Sequence, residues 1–263
     1  MSKPKKNRID RVFLRNLVVR QIRQDYLENI TGFAWLVIQP LLMLAVYAFV
    51  FTTIFKARIP EAGDIGFVPY LAVAFWPWTA FSDAILRANN SITANGALIG
   101  KVAFATEQIP LATVTATFIM HMIGYAAVLV ILQALGTSVQ WLYLSLVIPL
   151  LILMWIFACA IALVTSAMQV FVRDVAQILP PLITFWFFTT PILYSESYLP
   201  ESLHALVQWN PMAWFVSRLR ELILFGDIRF DTNSLVIVLS ILVFAWLSLR
   251  FFRRFSGHFE DFL

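Results

Sequence analysis

The feature that most constrains this chain is a stretch of 65 residues, from 108 to 172, without a single Asp, Glu, Lys or Arg. As one helix it would be roughly 98 Å long, whereas about 20 apolar residues already cross the hydrocarbon core of a bilayer. The stretch must therefore fold back on itself. The segment from Gly136 to Gln140 is the predicted turn, and two membrane spans follow from this stretch alone.

Further uncharged stretches repeat this pattern along the chain. The composition agrees, because 60% of the residues are hydrophobic and 13% are charged, against about 25% charged in soluble proteins. The segments are long and continuously apolar, whereas membrane barrels have strands of about ten residues that alternate in polarity. We therefore predict an all-α integral membrane protein with six transmembrane helices. The predicted spans cover 33–55, 66–86, 109–135, 141–168, 175–194 and 233–252.

Basic residues are distributed unequally between the two sides that these spans define. Fourteen lie on the side of the two termini and five on the other, so the positive-inside rule predicts cytoplasmic termini in the cytoplasmic (inner) membrane. A nucleic-acid partner is not expected, because the basic residues are not gathered on a folded polar module. The fourteen are Lys3, Lys5, Lys6, Arg8, Arg11, Arg15, Arg20, Arg23, Arg87, Lys101, Arg173, Arg250, Arg253 and Arg254, and the five are Lys56, Arg58, Arg218, Arg220 and Arg229.

Three regions follow from this topology: a cytoplasmic N-terminal segment (1–32), a transmembrane domain (33–252) and a cytoplasmic tail (253–263). In the first region, apolar and basic side chains occupy roughly opposite sides of a helix, which predicts an amphipathic interfacial helix in contact with membrane lipids. The apolar side carries Ile9, Phe13 and Leu17, and the basic side carries Arg8, Arg11 and Arg15.

The segment between spans five and six is too long for a turn and too apolar for a solvated loop. We predict two short re-entrant helices there, at 203–209 and 212–225, separated by Asn210-Pro211.

Motifs for catalysis or cofactor binding are not found. Gly96 to Val102 resembles a phosphate-binding loop, but it has three residues between its glycines instead of four and Val102 in place of Ser or Thr. The three histidines lie far apart in sequence, and Cys159 is the only cysteine. We therefore expect no catalytic residue, no metal and no cofactor in this chain. An intramembrane hydrolase stays as an alternative from another class, although no serine is marked for activation.

A polar stripe runs along the third predicted span. Thr113, Thr117 and His121 are four residues apart, and Gly124 continues their face of the helix. Such a stripe either lines a pathway or packs against another helix, and small and hydroxyl side chains favour packing.

Several short motifs, in their order along the chain, resemble the membrane subunit of ABC-2 type exporters of lipid-linked polysaccharides such as O-antigen, capsule or teichoic acid. The first are Gly32 to Trp35, Pro40-Leu41, Asn89-Asn90, and Lys101 to Pro110, in which Ala105 replaces the usual proline. The later ones are Val172-Arg173-Asp174, Thr190-Pro191-Ile192 with Tyr194, and Asn210-Pro211-Met212 with Arg220.

The resemblance implies a transport subunit rather than an enzyme, acting as a homodimer with a separate dimeric ABC ATPase that binds ATP and Mg²⁺. It implies a lipid-linked polysaccharide as the substrate, with O-antigen favoured. Movement driven by the ATPase would enter through the N-terminal helix, the segment after span two and the turn after span four. The implied coupling residues are Arg11, Arg15, Asn95, Lys101, Phe104, Glu107, Arg173 and Asp174.

Aromatic residues number 24 Phe, 9 Trp and 7 Tyr, and they crowd spans two and five. Flat rings offer a polymer apolar contact without strong directional demands, although Trp and Tyr also form belts at membrane interfaces. Because Trp186 points about 100° away from Phe185, the rings of span five cannot all line one surface. The candidate pathway residues are Phe75, Trp76, Trp78, Phe185, Trp186, Phe188 and Tyr194. A permease of the same fold that exports a small hydrophobic compound or drug is the leading alternative.

Overall fold

The structure is a computed structural model that describes residues 10–24, 30–56, 63, 65–99, 104–228 and 231–263. In these ranges every regular element is a helix, which confirms the predicted all-α fold. The first half contains α1 (Arg11–Ile22), α2 (Ile30–Phe49, continued by a π-helical turn Val50–Ile54), α3 (Phe67–Asn89), α4 (Ser91–Ala94), α5 (Gly96–Ile99) and α6 (Gln108–Ala134). The second contains α7 (Leu144–Phe171), α8 (Val175–Thr189), α9 (Glu201–Gln208), α10 (Pro211–Arg220, continued by a π-helical turn Glu221–Phe225) and α11 (Thr232–Phe255, followed by a 3-10 segment Ser256–Asp261).

Four helical stretches of the described chain are long and apolar enough to cross a membrane. They are Val37–Ile54, Gln108–Ala134, Trp141–Phe171 and Thr232–Asp261, and they correspond to predicted spans one, three, four and six. The second predicted span is α3, whose 23 residues include prolines, tryptophans and Asp83, which lower its hydropathy. The fifth is the shorter apolar helix α8.

Helix α8 ends at Thr189, five residues before the predicted end of span five at residue 194. Thr190 has extended backbone angles, as residues before proline commonly do, and Pro191 follows it. At the predicted fold-back, α6 ends at Ala134, and Gly136 takes a φ of +94°, which only glycine adopts readily. The turn between spans three and four is therefore where the sequence predicted it.

Helix α3 lies at the centre of the bundle. Its side chains from Tyr70 to Trp78 are all buried, and it packs against α6 and α7 along most of its length. The polar stripe of α6 faces α3, because Trp76 of α3 lies against Gly124 and donates from its indole Nε1 to the carbonyl oxygen of His121 at 2.9 Å. In this subunit the stripe serves helix packing.

The predicted N-terminal helix is α1, and it lies against α6. Gln108 Nε2 donates to the backbone oxygen of Asp10 at 2.6 Å, and Ile22 packs on Met120 twelve residues further along α6. The two helices therefore run side by side in the same direction. Leu17 is buried in their contact, while Arg11 and Arg15 are exposed on the other side.

Candidate coupling and translocation sites

One end of the bundle, which we call the basic end, is formed by α1, the connection from α3 to α6, the last turn of α7 and the end of α11. Because α3 ends and α6 begins here, the helices α4 and α5 lie at this end. The arginines of the described chain at this end are Arg11, Arg15, Arg20, Arg23, Arg87, Arg173, Arg250, Arg253 and Arg254.

Two of the implied coupling residues contact α1 directly. Asn95, between α4 and α5, accepts a hydrogen bond of 2.9 Å from Arg20 Nη2, and its own amide donates to the Ser91 carbonyl oxygen. The ring of Phe104 lies 4.9 Å from the ring of Phe13, centroid to centroid. The connection from α3 to α6 and the N-terminal helix are therefore joined by both a polar and an aromatic contact.

A third implied coupling residue, Glu107, is almost completely buried, with 2% of its surface exposed. Arg253 near the end of α11 donates from Nε to Glu107 Oε1 at 2.8 Å, and its Nη2 lies 2.8 Å from the same oxygen as part of an ion pair. Sequence reasoning selected Glu107 but did not connect it with Arg253, because the two residues are 146 positions apart.

Four of the remaining implied coupling residues are described by the structure and do not join this network. Arg11 and Arg15 are exposed on α1, and Arg173 and Asp174 are exposed in the short turn between α7 and α8. These four side chains are accessible to a partner that covers the basic end. Lys101 lies outside the described residues.

The candidate pathway residues of α3 are buried inside the subunit. Trp76 packs on α6, and the rings of Phe75 and Trp78 both contact the ring of Phe187 on α8, at 6.2 and 5.7 Å. In this conformation Phe75, Trp76 and Trp78 present no ring surface at the outside of the subunit. Their aromatic character reflects the core of the bundle.

The candidates on α8 divide between surface and core. Phe185 is 67% exposed and Phe188 is 55% exposed, and together with Ile178 and Leu182 they form one apolar face of the helix. Trp186 points into the protein instead, where its Nε1 donates to Asn210 Oδ1 at 2.8 Å. Tyr194 is half-buried, and its hydroxyl donates to the Phe188 carbonyl oxygen. As expected from helical geometry, these rings do not share one surface.

At the opposite end of the bundle, two proline motifs meet through Asn210. Its Oδ1 accepts from the Met212 backbone N–H and so caps α10, while its Nδ2 donates to Thr190 Oγ1 at 2.9 Å. The two short helices predicted in this segment are present as α9 and α10. Most of α10 is buried, so this segment is an integral part of the bundle.

Arg220, at the end of α10, is buried and holds the same region together. Its Nη1 and Nη2 donate to the carbonyl oxygens of Pro191 and Ile192, each at 2.8 Å, and its Nε donates to the Tyr70 carbonyl oxygen at 3.0 Å. The guanidinium carbon also lies 3.6 Å from the centroid of the Tyr70 ring. The backbone carbonyl oxygens that follow the end of α8 thus accept hydrogen bonds from the planar, fork-shaped guanidinium group of Arg220.

An ionic cluster that the sequence did not predict connects α3 with α6. Asp83 accepts from Arg87 Nε at 2.9 Å, and its Oδ2 lies 3.1 Å from Nε2 of the buried His121. Such clusters raise the question of a metal site. In the part of the chain that the structure describes, however, no three His, Cys, Asp or Glu side chains are arranged to hold a metal ion.

Comparison with known proteins gives one family and several curated relatives. The model of the family described as "ABC-2 type transporter" matches residues 13–224. An O-antigen export system permease protein RfbA of Klebsiella pneumoniae is 25% identical over 247 residues, which cover 93% of this chain and 92% of the relative. The RfbA protein of Myxococcus xanthus is 30% identical over 77% of this chain and 76% of its own length. The polysialic acid transport protein KpsM of Escherichia coli is 23% identical over 93% and 94%.

Proposed function

The chain belongs to the ABC-2 type transporter family, and from this membership we propose that it is the transmembrane subunit of an ATP-driven exporter of a lipid-linked polysaccharide, with O-antigen as the favoured substrate. As a permease with several apolar helices it is a multi-pass membrane protein. We place it in the inner membrane with both termini in the cytoplasm, because the side of the termini carries most of the basic residues.

The choice of substrate rests on how much of this chain the polysaccharide permeases match. Two kinds of polysaccharide permease, one for O-antigen and one for polysialic acid, each match 93% of this chain. The similarity therefore includes the connection from α3 to α6 and the segment of α9 and α10, as well as the apolar spans.

The proposed working unit contains two copies of this chain and two copies of a separate ABC ATPase, which binds ATP and Mg²⁺. The ATPase contacts the basic end, where Arg11, Arg15, Arg173 and Asp174 are exposed. Movement of the ATPase is passed to α1 and α6 through the contacts of Asn95 with Arg20 and of Phe104 with Phe13.

The proposed pathway lies between the two copies. Most of the α2 side chains from residue 37 onward are exposed, and α8 exposes the face that carries Phe185 and Phe188. In a dimer that joins these surfaces, the exposed rings contact the apolar faces of the sugars as the polymer advances. Phe75 and Trp78 support this wall from behind through their contacts with Phe187, whereas Trp76 packs on α6.

Replacement of exposed and buried rings tests this proposal. In a deletion strain, we expect Phe185→Ala and Phe188→Ala to reduce surface polysaccharide while the complex with the ATPase is recovered in wild-type amounts. The matched control is Phe187→Ala on the same helix, since Phe187 is buried and its loss costs about 3–5 kcal/mol of stability. If the Phe185 and Phe188 variants lose export only together with the complex, these rings are structural and the proposed pathway is wrong.

A permease for a small hydrophobic compound is the second candidate, and one cavity favours it. The cavity is half open to the outside, has a volume of about 400 Å³ and lies between the first half of α7, α10 and the start of α11. Its lining is mainly apolar and includes Leu146, Leu150, Trp214, Leu222 and Val238. For such a permease, deletion of the gene would sensitise cells to a hydrophobic compound and leave surface polysaccharide unchanged.

A further inference from the structure

The last turn of α11 and the segment that follows it are packed into the basic end as part of a small core of their own. Phe252 and Phe259 are fully buried, and they share this core with Ile92 of α4, Ile99 of α5 and Ile109 of α6. The segment and both short helices of the connection from α3 to α6 therefore belong to one core, to which α7 contributes Leu163, Ala167 and Val170.

Aromatic contacts extend this core to the end of α7. The ring of Phe171 lies 5.8 Å from Phe255, 5.8 Å from Phe259 and 4.9 Å from Phe262, measured between ring centroids. At the last residue, Leu263 lies so close to Gly96 that a Cβ added to this glycine would be 3.4 Å from Leu263 Cβ. The end of the chain thus fits against the helix that begins at Gly96.

The pair of Glu107 and Arg253 is the polar element of this contact. A buried carboxylate is costly unless it is paired and hydrogen-bonded, and Arg253 supplies both a charge-assisted hydrogen bond from Nε and an ion-pair contact from Nη2. Glu107 directly precedes Gln108, whose side chain holds the backbone of Asp10 at the start of α1. The start of α6 is therefore bonded to the end of α11 through Glu107 and to the start of α1 through Gln108.

We propose that residues 252–263, which are the last turn of α11 and the segment after it, form a second coupling element through the ion pair of Arg253 with Glu107. This element passes movement of the α3–α6 connection to the preceding part of α11. This inference rests on the proposed function. In it Arg253 is a positioning residue, since it acts through Glu107 and touches neither nucleotide nor transported substrate. Because Arg253 is about one-third exposed, the pair lies at the edge of the protein, whereas the phenylalanines hold the segment in place from within.

The test compares charge variants of the pair in the complex with the ATPase. We expect Arg253→Gln and Glu107→Gln each to lower the amount of polymer exported per ATP hydrolysed by about fivefold or more, within the range of coupling between linked sites. Complex yield and nucleotide binding should stay at wild-type levels. The exchanged double variant, Glu107→Arg with Arg253→Glu, should recover part of the coupling, which a purely structural loss would not do.

The matched control is Arg254→Gln, because Arg254 is the exposed neighbour of Arg253 and the same charge is removed. Unchanged coupling in Arg253→Gln would overturn the inference. So would an equal loss in Arg254→Gln, since the effect would then reflect the overall charge of the basic end. A loss that accompanies dissociation of the complex, without recovery in the exchanged variant, would also overturn it.

A measurement without substrate separates this inference from the proposed function. Spin labels are placed at the exposed positions Thr93 and Gly257, on the connection and on the C-terminal segment. On addition of nucleotide to the complex, we expect the distance between the labels to stay constant in the wild type and to change in Arg253→Gln. If the wild type exports no polysaccharide but the label distance changes only in Arg253→Gln, the proposed substrate is wrong and the coupling element stands. If nucleotide changes the label distance equally in the wild type and in Arg253→Gln, the coupling element alone is overturned.

Discussion

Trp76 lies directly against Gly124, and this contact sets how closely α3 approaches α6. A Cβ at position 124 would be 2.6 Å from Trp76 Cζ2, nearer than non-bonded carbon atoms come. The indole is almost fully buried, and the same edge of the ring is held by the hydrogen bond from Nε1 to the His121 carbonyl oxygen. Small residues allow such close helix contacts within membranes, where water does not drive the helices together.

Gly124→Ala should therefore destabilise the protein. Alanine favours a helix interior by up to about 1 kcal/mol over glycine, but overpacking a rigid core costs about 1–3 kcal/mol, and the ring of Trp76 has no free space to enter. The midpoint of thermal unfolding in detergent compares the stability of Gly124→Ala with that of the wild type. Gly257→Ala is the control, since its added Cβ meets no atom within 4 Å. A rise of the midpoint in Gly124→Ala would show that the interface is looser than this contact requires.

Arg220→Met should destabilise the end of the bundle at which α8 and α10 meet. The variant leaves the carbonyl oxygens of Tyr70, Pro191 and Ile192 without the donors that they have now, and a buried unsatisfied group costs about 1–3 kcal/mol. Arg220→Lys should recover only part of the stability lost in Arg220→Met, because an ammonium group lacks the planar fork of the guanidinium group. Thermal unfolding and protease sensitivity of the 190–228 region measure the effect. The control is Arg173→Met, because Arg173 is exposed. An equal loss of stability in Arg173→Met would contradict the role assigned to the hydrogen bonds of Arg220.

A double-mutant cycle tests the cluster of Asp83 and His121. Asp83→Asn and His121→Gln should each lower the stability, and the double variant should lose less than the sum, with an interaction energy of about 0.5–3 kcal/mol. The pair of Asp83→Asn with Arg254→Gln supplies the control, because these positions share no partner and their effects should add. An additive result for Asp83 and His121 would mean that their 3.1 Å contact contributes nothing to stability.

The sequence predicted what depends on local pattern, and it missed what depends on distant pairing. The length of the uncharged stretches predicted the long helices and the turn at Gly136, and Asn210-Pro211 located the start of α10. The end of α8 was predicted five residues too late, because the helix stops before Thr190-Pro191. Neither hydropathy nor spacing indicates that Asp83 meets His121 or that Glu107 meets Arg253. In the same way, a cluster of rings does not reveal which of them face outward, so Trp76 and Phe185 looked equivalent until packing distinguished them.

Acid pH should weaken the start of α11 through Asp231, which caps this helix. Its Oδ1 accepts from the backbone N–H and from the hydroxyl of Ser234, and these hydrogen bonds lower the pKa of Asp231 below its usual value. Ser234 Oγ also accepts from Trp214 Nε1, so the cap is joined to α10.

Because the folded-state pKa of Asp231 lies below the unfolded value of about 3.9, the stabilisation is complete above that value and is lost as the pH falls through the folded-state pKa. Asp231→Ala should therefore lose about 1 kcal/mol at neutral pH, as is typical for a helix cap. The difference in unfolding midpoint from the wild type should shrink between about pH 4 and pH 2 as the carboxylate is protonated. Asp174→Ala is the control, since Asp174 precedes α8 without a side-chain hydrogen bond to it and should show little change at either pH. A difference for Asp231→Ala that stayed constant down to low pH would show that the cap does not depend on the ionised carboxylate.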